Sequence, residues 1–134
     1  MGFKLDHIAV AVRDMKLAVE DFEKKLGMSC DRIEDVHDEQ SQVAFFDLGG
    51  AHLELITPLS AGSPLSRSLE QRGEGLHHIC LEVEDIEATV KALKLAGLRT
   101  VTEHPNVGAG GSRIIFLHPK AMHGVLIELV EKPK

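Results

Sequence analysis

Long apolar runs, a basic excess and a usable cysteine pattern are all missing from this chain of 134 residues. No stretch is apolar over the roughly 18 residues that a membrane-spanning helix needs. No basic-then-apolar segment opens the chain, so the expectation is a cytoplasmic protein with no membrane partner. Cys30 and Cys80 make no zinc or redox spacing. Two cysteines allow one disulfide, but a cytosolic chain with reduced thiols fits better. The formal net charge of -6 argues against a nucleic-acid partner. It leaves room for an anionic small ligand, because a local cluster can oppose the global sign. The segment "HPNVGAGGSR" has too much glycine for regular structure and lacks the lysine of a phosphate loop. It reads as a flexible hairpin connection or as backbone brought close to a ligand.

What the chain does have is ordinary for one globular domain: 43% hydrophobic and 27% charged residues. The length suits a single domain over 1–134 with a real core. Its internal organisation is less ordinary. Laying "LDHIAVAV" over "LHHICLEV" puts Leu5 on Leu76, His7 on His78, Ile8 on Ile79 and Val12 on Val83. Asp14 then falls on Asp85 and Val19 on Val90. Each copy starts as a strand, passes an aspartate placed to cap a helix, and continues with helical spacing. The apolar positions are Met15, Ala18, Phe22 and Leu26 in one copy and Ile86, Val90 and Leu93 in the other. Gly27 and Gly97 stand where these helices should end.

The copies also close alike. "VAFFDLGGAHLELITP" and "RIIFLHPKAMHGVLIELVEK" each run from a phenylalanine-bearing strand through a turn into Leu-Glu-Leu or Ile-Glu-Leu. Glu54 therefore falls on Glu128. One further strand fits in each copy, over 28–35 and 99–103. The expected fold class is α+β: two tandem βαβββ modules, 3–60 and 74–132, forming a curved mixed sheet. Between them, Ser63 as cap, Pro64 at the first helical position and Gly73 as stop predict a linker helix over 63–73.

The repeat singles out His7, Glu54, His78 and Glu128, each a polar residue inside an apolar strand. Alternation puts His7 with Ala9 and Ala11, His78 with Cys80 and Glu82, and Glu54 with His52 and Ile56. A carboxylate in such a strand is costly unless it is paired or holds a metal. Any one of these residues alone is better read as a hydrogen-bonded or solvated side chain. Repeated in register at both ends of both modules, they read as a ligand set. If the modules pair about a pseudo-twofold, two imidazoles and two carboxylates converge, suited to a divalent first-row metal with open positions. His77 turns away from His78 by alternation and suggests a solvated or supporting role. His52, His118 and His123 read as surface residues, with His118 a candidate to touch a ligand.

With these residues in place the chain resembles the vicinal oxygen chelate superfamily. It resembles most closely the methylmalonyl-CoA epimerase family, through "LDHIAVAV", "ELITPLSAGSPLSRSLEQRGEGLHHICLEVEDI" and "GSRIIFLHPKAMHGVLIELVE". The resemblance covers nearly the whole chain. It implies a metal site at His7, Glu54, His78 and Glu128, holding Co2+ in first place and otherwise Zn2+, Ni2+, Mn2+ or Mg2+. It implies an acyl-CoA substrate, a homodimer, and interconversion of (R)- and (S)-methylmalonyl-CoA through an enolate, with Glu128 and Glu54 as catalytic carboxylates. Such chemistry needs electrostatic stabilisation of the developing negative charge and a positioned base. Lys120, Arg113, Arg67 and Arg72 are candidates for the CoA tail. There is one departure: some epimerases carry a second basic glutamate in the later half of "EQSQVAFF", where this chain has Ala44, with Gln42 nearby. Two alternatives share the scaffold: a glyoxalase I-type lactoylglutathione lyase and a non-enzymatic small-ligand binding protein. The linker helix and the Phe116–Lys120 segment favour the epimerase over the lyase, and the intact ligand set disfavours the pure binder.

Overall fold

A computed structural model describes residues 2–134. Its Cα trace divides into two compact units, 7–77 and 2–6 together with 78–134. The strands are β1 (Lys4–Ala11), β2 (Arg32–Val36), β3 (Ser41–Asp47), β4 (His52–Pro58), β5 (Gly75–Glu82), β6 (Asn106–Val107), β7 (Arg113–Leu117) and β8 (Ile127–Glu131). The helices are α1 (Met15–Leu26), α2 (Pro64–Arg72) and α3 (Ile86–Leu95). The order is βαβββ, helix, βαβββ, as the repeat predicts.

In the 7–77 unit β1 pairs in parallel with β4, β4 antiparallel with β3, and β3 antiparallel with β2. The α1 cap is Asp14, whose side chain accepts the Leu17 N–H at 3.0 Å. Such a cap contributes about 1 kcal/mol. Gly27 ends the helix in the left-handed region, with its N–H on the Phe22 carbonyl. The core between the sheet and α1 holds Val12, Met15, Ala44, Phe46 and Leu55, with Phe22 and Leu53 packed against them. Leu26, expected on the apolar stripe, is exposed. The β3–β4 hairpin turns on Gly49 and Gly50, with φ of 81° and 83°. Two positive φ values match the twist of a two-residue hairpin and strain any residue with a Cβ.

The linker helix forms as expected. The Ser63 hydroxyl accepts from the Ser66 N–H, Pro64 begins the helix, and Gly73 follows it. Leu65 and Leu69 are buried. Arg13 ties the helix to the end of β1: its guanidinium donates to the Leu69 carbonyl at 3.2 Å and its backbone N–H to Glu74 at 2.7 Å.

The second unit repeats the plan. β5 pairs in parallel with β8, and β8 antiparallel with β7. Asp85 caps α3 by accepting from the Ala88 N–H at 3.1 Å. The helix-facing core is Val83, Ile86, Val90, Ile115, Leu117, Ile127 and Leu129. One expectation fails here. Residues 99–103 do not form a strand; they reach β7 only through a bridge at Thr100 and Leu117. The second strand of this module is β6, two residues long, inside the glycine-rich segment. Thr100 and Thr102 hydroxyls bond the carbonyls of Thr102 and His104. These local bonds compete with a ladder, and pairing with β7 is confined to the bridge at Thr100.

Candidate active site

Register decides which side chains can meet. In the 7–77 unit His7 stands opposite His52 and Ala9 opposite Glu54 across β1 and β4. Across β3 and β4, Phe45 stands opposite Glu54 and Val43 opposite Ile56. Directly opposed residues share a face, so His7, His52, Glu54 and Phe45 lie together on the side away from α1. The Glu54 Oε2 receives two imidazoles: His52 Nε2 at 2.8 Å and His7 Nδ1 at 3.1 Å. The ligand atoms of all three residues lie within 4.8 Å of one another.

The second unit builds the matching pair. Cys80 stands opposite Glu128 across β5 and β8, and Phe116 opposite Glu128 across β7 and β8. His78, two residues before Cys80, points to the same face. Its Nε2 is 3.1 Å from Glu128 Oε1. The Phe116 ring meets the His78 ring edge-on, with centroids 5.2 Å apart. Cys80, Ile114 and Val130 complete an apolar setting around the pair.

The four residues are nearly sealed: His7 is 5% exposed, Glu54 7%, His78 7% and Glu128 3%. Among the described residues no buried side-chain nitrogen or oxygen lacks a partner. The donor set fits a divalent ion. Imidazole nitrogen and carboxylate oxygen are the ligands such ions take, at about 2.0–2.2 Å. Two ligands at right angles on one ion then stand about 3 Å apart, close to the 3.1 Å that separates each pair.

The structure corrects several expectations. His52 is not a plain surface residue; it is half-buried and bound to Glu54. His118 is half-buried, and its Nδ1 accepts the Lys120 N–H at 3.2 Å, capping the short 3-10 turn at Pro119–Met122. That ring is occupied with local structure. His123 is exposed and His77 half-buried. Ala44 is fully buried against Val12, Phe46 and Leu55. It stands opposite Leu55, not Glu54, so a carboxylate at 44 would enter the helix-side core and not the polar face. Gln42 alternates onto Ala44's side and bonds Asp35 at 3.1 Å. Arg113 pairs with Glu87, which raises its pKa, and it alternates onto the α3 side away from Phe116. Arg67, Arg72 and Lys120 remain exposed cations.

One buried group escaped the sequence reading. Asp6 is buried and takes the Lys132 Nζ at 2.9 Å; Lys132 also reaches Glu82 at 3.3 Å. The hydrogen bond to Asp6 raises the lysine's pKa above its ordinary value. Alternation alone does not reveal such a pair, because Lys132 lies just beyond the last strand.

The sequence model of the Glyoxalase/Bleomycin resistance protein/Dioxygenase superfamily matches residues 6–116. The chain belongs to this superfamily. Among superfamily members, it is 41% identical over 128 residues to an ethylmalonyl-CoA/methylmalonyl-CoA epimerase of Cereibacter sphaeroides, covering 94% of this chain and 96% of that protein. The crystal structure of methylmalonyl-CoA epimerase from Mycobacterium tuberculosis aligns with TM-score 0.92 and 35% identity, over 98% of this chain and 89% of that one. A methylmalonyl-CoA epimerase in complex with methylmalonyl-CoA and NH4+ aligns with TM-score 0.90 and 33% identity, over 96% of this chain and 94% of that one. The superfamily and the candidate ligands together point to a divalent metal.

Proposed function

We propose that this protein is an epimerase that interconverts (R)- and (S)-methylmalonyl-CoA. The observation that carries the reading is the duplicated pair: each repeat buries one histidine against one glutamate at 3.1 Å, at the same place in its strands. The names of the full-length relatives supply the substrate class. In this reading the chain works as one vicinal oxygen chelate domain, modules 3–60 and 74–132 joined by the 63–73 helix. His7, Glu54, His78 and Glu128, all from one chain, hold one divalent ion, with cobalt the first choice. Two copies of the chain associate as a homodimer, as symmetric assemblies commonly do. The setting is the cytoplasm, where thiols such as Cys30 and Cys80 stay reduced.

The carbon that inverts lies between a thioester and a carboxylate, so removing its proton leaves an enolate. A divalent ion held by His7, Glu54, His78 and Glu128 would supply positive charge that stabilises the enolate. The protein's own carboxylates move the proton. Glu128 takes it from one face, its carboxylate held by His78 beside the apolar cluster of Cys80, Ile114 and Val130. Glu54, bound by two imidazoles, serves chiefly as a ligand and, as the second carboxylate, returns a proton to the opposite face of the enolate carbon. Arg67, Arg72 and Lys120 are the cations left for the CoA tail.

The test is exchange of the substrate α-proton in deuterium oxide, followed by proton NMR with methylmalonyl-CoA and added Co2+. The same preparation is run with methylglyoxal and glutathione. Exchange well above the protein-free rate, with no turnover of the hemithioacetal, is the expected result. Turnover of the hemithioacetal with an unexchanged α-proton would replace the epimerase by a lyase.

A further inference from the structure

The 7–77 unit holds a polar residue that the duplication does not explain. His52 has no counterpart in the second module: counting back two from Glu128, as His52 counts back two from Glu54, gives Leu126. We infer that His52 is a positioning residue, which fixes the Glu54 carboxylate so that Glu54 can hold a divalent ion. The inference rests on the metal reading above and adds a residue to it.

Three observations carry it. First, the register leaves His52 no other face. It stands opposite His7 across the parallel β1–β4 pair and alternates onto the side of Glu54. Second, the contact is short. His52 Nε2 lies 2.8 Å from Glu54 Oε2, and in the tautomer that carries the proton on Nε2 it donates to that carboxylate oxygen. Third, the imidazole is held by packing. Its ring lies 4.9 Å from the His7 ring and 5.5 Å from the Phe45 ring, centroid to centroid. The Arg32 guanidinium covers Phe45 at 3.8 Å from the ring centroid, a favourable cation–π arrangement. Arg32, Phe45, His52 and His7 therefore make one series of ring contacts beside the carboxylate. A donor fixed in this way removes rotamers that Glu54 would otherwise sample. A hydrogen-bond partner that orients a metal-binding carboxylate is typically worth about 10- to 100-fold in metal affinity.

The experiment is calorimetric titration of metal-free protein with Co2+. The variants are His52→Leu, His52→Asn, His52→Gln and Glu54→Ala, together with His52→Leu combined with Glu54→Ala. Leucine removes the donor, asparagine is too short to bring it to Glu54, and glutamine can reach. We expect His52→Leu and His52→Asn to bind Co2+ about 10- to 100-fold more weakly, and His52→Gln to stay within about threefold of the parent. On the Glu54→Ala background His52→Leu should add nothing, because the group it positions is gone. An additional loss on that background would overturn the inference, since His52 would then act on the ion or the fold directly. Unchanged affinity in His52→Leu or His52→Asn would overturn it as well. If His52→Leu fails to fold, the asparagine–glutamine contrast decides alone. His7→Ala and His78→Ala, titrated alongside, separate the two readings. If they lose affinity while the His52 variants do not, only the present inference falls. If they bind Co2+ like the parent, the metal site itself is wrong and this inference goes with it.

Discussion

The two modules place one histidine and one glutamate alike and surround them differently. In each, a phenylalanine on the neighbouring strand stands opposite the glutamate: Phe45 opposite Glu54, Phe116 opposite Glu128. In each, the pair is separated by 3.1 Å. The surroundings then diverge. Phe45 packs on His52, which binds Glu54, whereas Phe116 packs directly on His78. The Leu126 side chain offers no hydrogen bond at the place of His52. The duplication thus repeats the histidine–glutamate pair, and the proposed division of labour rests on the residues around it. A carboxylate clamped by two imidazoles suits steady ligation. One paired with His78 beside Cys80 and Phe116 suits proton transfer in the proposed reaction, which needs a carboxylate able to change partners.

The sharpest way to break this comparison is to remove acid–base capacity from each glutamate. Glu128→Gln keeps shape and one possible ligand oxygen but cannot take a proton. It should retain much of its metal and lose α-proton exchange by about a hundredfold or more, read by NMR beside elemental analysis of the same sample. The next largest effect tests equivalence. His7→Ala and His78→Ala should each lower metal content and exchange together, by about 10-fold or more in affinity. If one variant stays fully loaded, the two modules do not share an ion. Glu54→Gln should be milder than Glu128→Gln, costing exchange only as far as it costs metal. The reverse order would mean that Glu54 is the principal base. The smallest effect lies far from the chemistry. Asp14→Ala and Asp85→Ala remove equivalent helix caps and should each destabilise the fold by about 1 kcal/mol in urea unfolding. A large inequality between them would show that the modules differ in how much each helix holds.

Much of this was legible in residue order. The caps at Asp14, Ser63 and Asp85 form as expected, because a side-chain oxygen beside a helix start has a local partner. The burial of His7, Glu54, His78 and Glu128 followed from strand alternation, which needs no knowledge of distant contacts. What failed depended on register or on competition. Ala44 and Glu54 occur in one hairpin, yet the Gly49–Gly50 turn pairs Phe45 with Glu54 and sends Ala44 to the helix side. Counting outward from that two-residue turn would have shown it. The 99–103 strand gave way to β6 because its threonines bond locally. His52 was judged by its type, when its position two residues before Glu54 already put both on one face.

The two cysteines give each module its own reporter. Cys30 is half-buried in the 7–77 unit, and burial raises its thiol pKa, so its reactive thiolate is scarce at neutral pH. Cys80 is fully buried in the other unit, in register with Glu128. A thiol reagent should therefore label Cys30 slowly in the native protein, at a rate that climbs with pH. Cys80 should react only when the strands around it part. Its labelling rate reads the opening free energy of the second module. In the proposed site, Co2+ on His78 and Glu128 should slow that rate, so the proposed metal binding can be followed as protection of a sulfur atom without any substrate present.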